Sequence, residues 1–271
     1  MDGSFVDSLM QKAKRRKARI AIGIRGGNQD IWAGLEKASD FANLVVVTDC
    51  IPAFCEQASR VECLSSRDPE QTLVDLLVSG EAEGAVRGNV SASRTMKALS
   101  KGLGIDIRRM VLLRQGGHCF MLGPVGIDEG DRPSDRLELA LESARFLRRL
   151  GVEPRVALLS GGRLEDMGRS KKVDQSLGEA ELITRMAERA QISAVHRGIL
   201  IETCIEDDVI IAPDGISGNL IFRTLMYLCQ AQSLGAPVLT DKVVFVDSSR
   251  GRSEFSGPVA LAGALAEAGL G

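Results

Sequence analysis

The 271-residue sequence predicts an α/β fold built on a largely parallel sheet. Three observations predict it. Short apolar runs at 19–24, 44–48, 84–86, 155–159 and 209–212 read as strands, the last of them buried on both faces. Helical stretches with recognisable starts and stops alternate with them. Polar, glycine-bearing segments follow the strands, at the carboxyl ends where such sheets bind ligands.

In chain order, Phe5, Val6, Leu9 and Met10 repeat at helical spacing and lead into the basic run 12–17, which reads as a solvated helix face. The strand 19–24 ends in Arg25-Gly26-Gly27-Asn28, and a helix follows to about residue 42. After the strand 44–48 come a short helix and a weaker strand over 61–64. Asp68-Pro69-Glu70-Gln71 is a helix start, with an N-cap, a proline at the first position and a glutamine three on; Gly80 ends that helix. The strand 84–86 opens the polar loop 87–94, which carries Arg87 and Arg94. Two strands around Gly116-Gly117 read as a hairpin, so some antiparallel pairing is expected.

Residues 133–150 are an amphipathic helix with Leu137, Leu141, Ala144, Leu147 and Leu150 on one face. The strand 155–159 leads into Ser160-Gly161-Gly162-Arg163, and a helix over 174–190 and a strand over 199–201 follow. After 209–212, Pro213-Asp214-Gly215 is a turn. The apolar stretch 220–233 predicts one helix, stopped by Gly235 and Pro237 and buried inside a domain or against the mate in a homodimer. Short strands around Val238 and over 243–246 precede Asp247-Ser248-Ser249-Arg250-Gly251.

Bulk properties exclude several functions. A net charge of −2 gives no general attraction to nucleic acid or anionic membrane, and ten aromatic residues offer few stacking platforms. No apolar run reaches the roughly 18 residues of a membrane span, and no secretory signal is seen, so a cytoplasmic protein is expected. The six cysteines form no C-x-x-C pair and are expected to be free thiols, with Cys119 and Cys229 as small buried hydrophobes. His118 and His196 lie in separate segments, and His118 and Cys119 point to opposite faces of a strand. Glu206-Asp207-Asp208 reads as a solvated turn rather than a metal cluster, and no metal is expected.

Two polar segments carry the chemistry. Gly218 and Asn219 are predicted at a helix N-terminus, where free backbone N–H groups attract an anion. Ser249-Arg250-Gly251 adds a hydroxyl, a bidentate cation and a residue that lets a ligand approach the backbone. Each alone also reads as a plain βα turn or polar loop. In the order Pro213, Asp214, Gly218, Asn219, Phe222, Arg223, Gly235, Pro237, Ser249, Arg250, Gly251, they resemble the phosphate acetyl/butyryltransferase (phosphotransacetylase) superfamily. Its C-terminal region runs roughly F-P-D-x-x-x-G-N-x-x-Y-K, then G-P, P-V and L-S-R-G. Length and texture are most similar to its archaeal MtxX branch of methyltransferase-associated methanogenesis-marker proteins. Pro154, Arg155, Val156, Ala157, Leu159 and Ser160 also resemble the superfamily's P-R-V-A-x-L-S substrate loop, with Gly162 where a second serine is usual.

The resemblance implies two αβα lobes of the phosphotransacetylase and isocitrate-dehydrogenase-like kind, with a cleft between them. One lobe is 1–104 plus 236–271; the other, 105–235, forms a homodimer. The implied reaction moves an acyl group between phosphate and coenzyme A, from an acyl phosphate or a CoA thioester, with coenzyme A as co-substrate and no tightly bound cofactor. Ser249, Arg250 and Glu254 are then catalytic. Arg87, Arg94, Ser160, Gly161, Gly162, Asp214, Gly218, Asn219, Gly251 and Ser256 bind substrate.

Two departures weaken that chemistry. The superfamily's S-R-G-x-S-x-x-D ends on an aspartate proposed as the thiol base, and Ser256 stands there. Its T-T-A-D-T-x-R run is reduced to Ser91-Ala92-Ser93-Arg94-Thr95-Met96-Lys97. The alternative is a non-catalytic ligand-binding or accessory protein with a methyltransferase partner. A methyltransferase proper finds least support, because residues 22–28 read IGIRGGN and not G-x-G-x-x-G.

Overall fold

A computed structural model describes residues 1–52, 60–248 and 253–269. The short helix predicted after Pro52, together with Cys55, Ser249, Arg250 and Gly251, lies outside the described residues. The elements run α1 (Gly3–Arg16), β1 (Arg19–Ile24), α2 (Gln29–Ala38), β2 (Asn43–Thr48), β3 (Glu62–Ser65), α3 (Pro69–Val78), β4 (Gly84–Val86) and α4 (Ala92–Leu103). Then follow β5 (Val111–Gln115), β6 (His118–Gly123), α5 (Pro133–Arg149), β7 (Arg155–Leu159), α6 (Lys171–Arg189) and β8 (Ser193–Gly198). The last are β9 (Val209–Ile211), α7 (Gly215–Tyr227), β10 (Gln232–Pro237), β11 (Phe245–Asp247) and α8 (Ser256–Glu267). The fold is α/β with mostly parallel strands.

The chain divides into two compact units. One is Val6–Arg108 with Leu234–Gly271. Its strands run β3-β2-β1-β4-β11-β10, all parallel except the β10–β11 pair, where Ala236 faces Asp247. Ala21, Val45, Val47, Ala85 and Phe245 pack with Leu73, Val74 and Leu77 of α3 and Leu99 of α4. Residues of opposite parity, such as Ile20, Ile22 and Val86, are equally buried and turn to the other face, where α8 packs. Covering both faces is what requires the unbroken apolar runs of β1 and β2. Asp68 caps α3 by accepting from the Gln71 N–H at 3.4 Å, as its sequence predicts.

The other unit is Met1–Phe5 with Arg109–Ser233. Its strands run β5-β6-β9-β7-β8, with the β5–β6 hairpin antiparallel and the remainder parallel. Met1–Phe5 belong here because Asp2 bridges to His118 and the Cys119 N–H donates to Met1 O at 2.9 Å.

Several elements differ from expectation. The apolar stretch 220–233 is not one helix, and it is not buried inside its own unit. Helix α7 starts at Gly215 and ends at Tyr227, the chain turns at Gln230 (φ 56°), and Gly235 and Pro237 lie in β10. Leu220, Tyr227 and Leu228 are exposed, at 62%, 62% and 79%, and Cys229 is exposed too. The strand expected at 199–201 is β8, several residues earlier, and 201–203 is a 3-10 turn. The buried face of α5 is turned toward Arg136, Leu139, Ala140, Ser143 and Leu147, because Arg136 is drawn inward to Glu179 of α6 (2.5 Å). Asp207 and Asp208 do not form a solvated turn. Asp207 is fully buried between Arg197 (2.9 and 3.1 Å) and Arg155 (3.1 Å), and Asp208 holds the Met1 amine. No helix among the described residues is long and apolar enough to cross a membrane.

Candidate functional site

In the unit built on β1, the pairing of β1 with β2 and β4 sets the loops that start at Arg25, Asp49 and Arg87 side by side. Arg25 grips Glu70 through Nε (3.0 Å) and Nη2 (2.7 Å) and reaches Asp49 through Nη1 (3.1 Å). Asn89 clamps the same residue's backbone, accepting from the Arg25 N–H at 2.7 Å and donating to its carbonyl at 3.1 Å. Glu70 also accepts from the Ser91 N–H at 3.1 Å. These donors, Arg25 first, hold the buried Glu70 carboxyl down to about 2 against the burial that would raise it.

Arg87 is buried. Its Nε pairs with Asp247 and its Nη1 donates to the Val90 carbonyl at 2.8 Å, so the guanidinium expected to offer a cation to substrate is already engaged within the fold. Arg94 is half-exposed and pairs with Asp68 at 3.0 Å. With Lys97 and Lys101 of α4 it borders a cavity of about 330 Å3, also lined by Asp68, Glu70, Gln71 and Ala98. Glu254 accepts from the N–H of Ser256, the first residue of α8, at 2.9 Å. Ser249, Arg250 and Gly251 lie outside the described residues.

In the other unit, β9 pairs with β6 and β7, with Ile211 opposite Gly123 and Leu158, so the segments from Pro124, Ser160 and Ala212 emerge together. Asp214 caps α7 by accepting from the Ser217 N–H at 2.7 Å. The Gly218 N–H donates to the Asp214 carbonyl at 3.0 Å, and Asn219 Nδ2 donates to Val125 O at 2.7 Å. The free donors expected at Gly218 and Asn219 are therefore used internally, because the helix begins at Gly215, a turn earlier than the sequence predicts. Glycine is required at 215 and 218 for a different reason. A β-carbon would stand 1.7 Å from Gly126 O and 1.9 Å from Pro124 O, because loop 124–129 rests directly on the helix.

Ser160 has a partner that sequence reasoning missed. Its buried Oγ lies 2.9 Å from His196 Nε2 and 3.0 Å from Gly162 O. His196 Nδ1 lies 3.3 Å from Glu181 Oε2, and Glu181 Oε1 is 2.9 Å from Arg185 Nε. The register explains the meeting. Leu158 pairs with His196, the next pair skips Arg197 to join Leu159 with Gly198, and the Ser160 N–H donates to Gly198 O at 2.8 Å. Gly198 has φ 62°, the left-handed conformation that this bulge needs. The exposed Gly161 donates its N–H to Ser176 Oγ at 2.8 Å, and Gly162 packs against Val173. An apolar Ala194-Val195 before His196 was the available signal for a strand.

The fold is similar to that of solved phosphotransacylases and of 4-hydroxythreonine-4-phosphate dehydrogenases. The chain is similar to a branched-chain phosphotransacylase from Enterococcus faecalis, with TM-score 0.69 and 19% identity over 92% of this chain and 99% of that one. A phosphotransacetylase from Streptococcus pyogenes gives TM-score 0.70 and 17% identity over 98% of both. A 4-hydroxythreonine-4-phosphate dehydrogenase from Klebsiella pneumoniae gives 0.61 and 12%, over 91% of this chain and 99% of that one. No family model matches the chain. By sequence it is 42% identical over 266 residues to the "Putative methyltransferase mtx subunit X" of Methanosarcina mazei, covering 97% of this chain and 95% of that protein. It is 40% identical over 239 residues to an "Uncharacterized methyltransferase" of Methanocaldococcus jannaschii, covering 85% and 90%. The chain belongs to the mtx subunit X family.

Proposed function

We propose that this chain is a cytoplasmic accessory subunit of a methyltransferase system, which uses the phosphotransacylase fold to hold a phosphate-bearing or coenzyme A-like ligand without efficient turnover. One observation carries this reading: groups that acyl exchange would need are engaged within the fold. Arg87 is held by Asp247 and Val90, Asn219 by Val125, and Glu254 by the amide of Ser256. Acyl exchange needs donors free to meet the developing oxyanion and a base for the thiol. Ser256 stands where the resemblance expects that base. The relatives' names support a methyltransferase as partner. The exposed apolar residues of α7 support a homodimer.

A second reading, slow acyl transfer from an acyl phosphate or a CoA thioester, is favoured by the placement of Ser160 against His196 in the loop that resembles a substrate loop. Calorimetry with coenzyme A and with inorganic phosphate, run beside a thioester-forming assay from coenzyme A and acetyl phosphate, separates the two. The accessory reading expects binding with turnover at background. Brisk thioester formation sinks it, and no binding of either ligand removes the ligand-holding role. Co-elution with the purified methyltransferase subunits of the same cell checks the partner.

A further inference from the structure

Ser160, His196 and Glu181 form a hydroxyl–imidazole–carboxylate series inside one unit, with spacings of 2.9 and 3.3 Å. As a carboxylate, Glu181 can only accept, so the proton of a neutral imidazole sits on Nδ1. Nε2 then turns its lone pair toward Ser160 Oγ. The serine hydroxyl has one proton, which Oγ donates to Gly162 O at 3.0 Å; rotation about the C–O bond turns it to His196 Nε2 at 2.9 Å, the orientation that transfer to the imidazole uses. The pair is shielded from water, with Ser160 1% exposed and the His196 side chain 6% exposed. Arg185 fixes the far oxygen of Glu181, and the bulge at Arg197 fixes the register that brings the strands' side chains together. A nucleophile, a base within hydrogen-bond reach and a third group orienting the base are the parts of an activated serine.

We infer that Ser160 is a nucleophile that accepts an acyl group from an activated acyl compound, an acyl phosphate or a reactive ester. Oγ attacks the acyl carbon while its proton passes to His196 Nε2. The bond from the acyl carbon to the leaving oxygen breaks, and the leaving group departs with the proton from Nε2. Water or a thiol then attacks the acyl-serine, giving its proton to the same nitrogen, which returns it to Oγ as the acyl–Oγ bond breaks. Gly161, the next residue, is exposed and carries no side chain, so the approach to the buried Oγ would lie on its side. Ser160 and His196 are the catalytic residues, and Glu181 is a positioning residue. The inference rests on the second reading, acyl transfer, and fails separately from it: transfer by direct thiol attack would form thioester without any adduct on Ser160.

The test treats the full chain with a fluorophosphonate, which phosphonylates activated serines with loss of fluoride, and reads the adduct by intact mass and peptide mapping. The expected result is one adduct per chain, on Ser160. His196→Gln should slow labelling about 100-fold or more, within the usual range for loss of a general base. Glu181→Gln should also slow it while Glu181→Asp restores part, a recovery that a purely structural role would not produce. With 4-nitrophenyl acetate, a burst of about one nitrophenolate per chain should precede slow turnover. A wild-type chain without an adduct on Ser160, or an undiminished labelling rate in His196→Gln, overturns the proposal. The first outcome is read on the wild type, so a variant that fails to fold leaves the test intact.

Discussion

Arg25 holds Glu70 through two nitrogens, at 3.0 and 2.7 Å, across 45 residues of sequence, and the carboxylate it holds is almost wholly buried. The pairing ties the loop after β1 to the first turn of α3, and Ser91 adds the loop after β4. Its energetic consequence depends on pH. The folded carboxyl sits at about 2, below its ordinary 4.5. The stabilisation is therefore complete above the ordinary value and is lost as pH falls through about 2. Denaturant titrations at a series of pH values should show this loss in the wild type. Glu70→Gln should be less stable at neutral pH by about 3 kcal/mol and should lack that part of the acid dependence. Equal acid sensitivity in both proteins would falsify the assignment.

Arg87 and Asp247 make a similar prediction about role. If Arg87 chiefly ties β4 to β11, Arg87→Met costs about 3–5 kcal/mol, as breaking one side of a buried pair does. A double variant with Asp247→Leu should recover part of that loss. Phosphate affinity measured by calorimetry should be unchanged among the variants that remain folded. A large affinity loss without a stability loss would return Arg87 to the ligand.

Gly218→Ala should be poorly tolerated, because the new methyl group would stand 1.9 Å from the Pro124 carbonyl. Overpacking of this kind costs about 1–3 kcal/mol or more, read as a drop in the denaturation midpoint. Asn219→Ala should lose only the bond to Val125, about 1 kcal/mol. The reverse order of severity would point to a ligand role for Asn219.

What the sequence reveals here follows from how local each signal is. Strands β1 and β7 are read to the residue because burial on both faces leaves an unbroken apolar run. The start of α3 is legible because Asp68 and Pro69 are its cap and first turn. The end of α7 is not legible, since the chain turns at Gln230, a non-glycine residue at φ 56° that leaves no mark in the sequence. Asp207 reads as a solvated acid because its partners, Arg155 and Arg197, reach it only through the packing of neighbouring strands. The contact between Ser160 and His196 depends on a parallel register with a bulge, and a strand placed at 199–201 hides it.

Helix α7 predicts association. Ile216, Leu220, Tyr227 and Leu228 are exposed apolar residues on one short segment, which association with a second copy would cover. Light scattering at micromolar concentration should give a dimer mass for the wild type. Leu220→Glu should shift it toward monomer with little loss of fold stability, because that side chain is already open to solvent. A monomeric wild type would count against the homodimer.

Ser256→Asp tests whether acyl exchange has been lost through one residue. Ser256 is the first residue of α8, and a carboxylate there faces the positive end of the helix, so the variant should fold at least as well as the wild type. Activity can then be read without a stability correction. If the scaffold otherwise retains the exchange site, including Arg250, restoring a base should raise thioester formation by about 10²–10⁴ over wild type. Glu254 is the competing base, but its Oε1 accepts from the Ser256 N–H at 2.9 Å, which engages it within the fold. Glu254→Gln should accordingly leave turnover near the wild-type level and lower the helix's stability slightly. Coenzyme A binding in all three proteins, with turnover only in Ser256→Asp, would show a site that kept its ligand and lost its base. Turnover in none, with coenzyme A still bound, leaves the accessory role as the reading that fits.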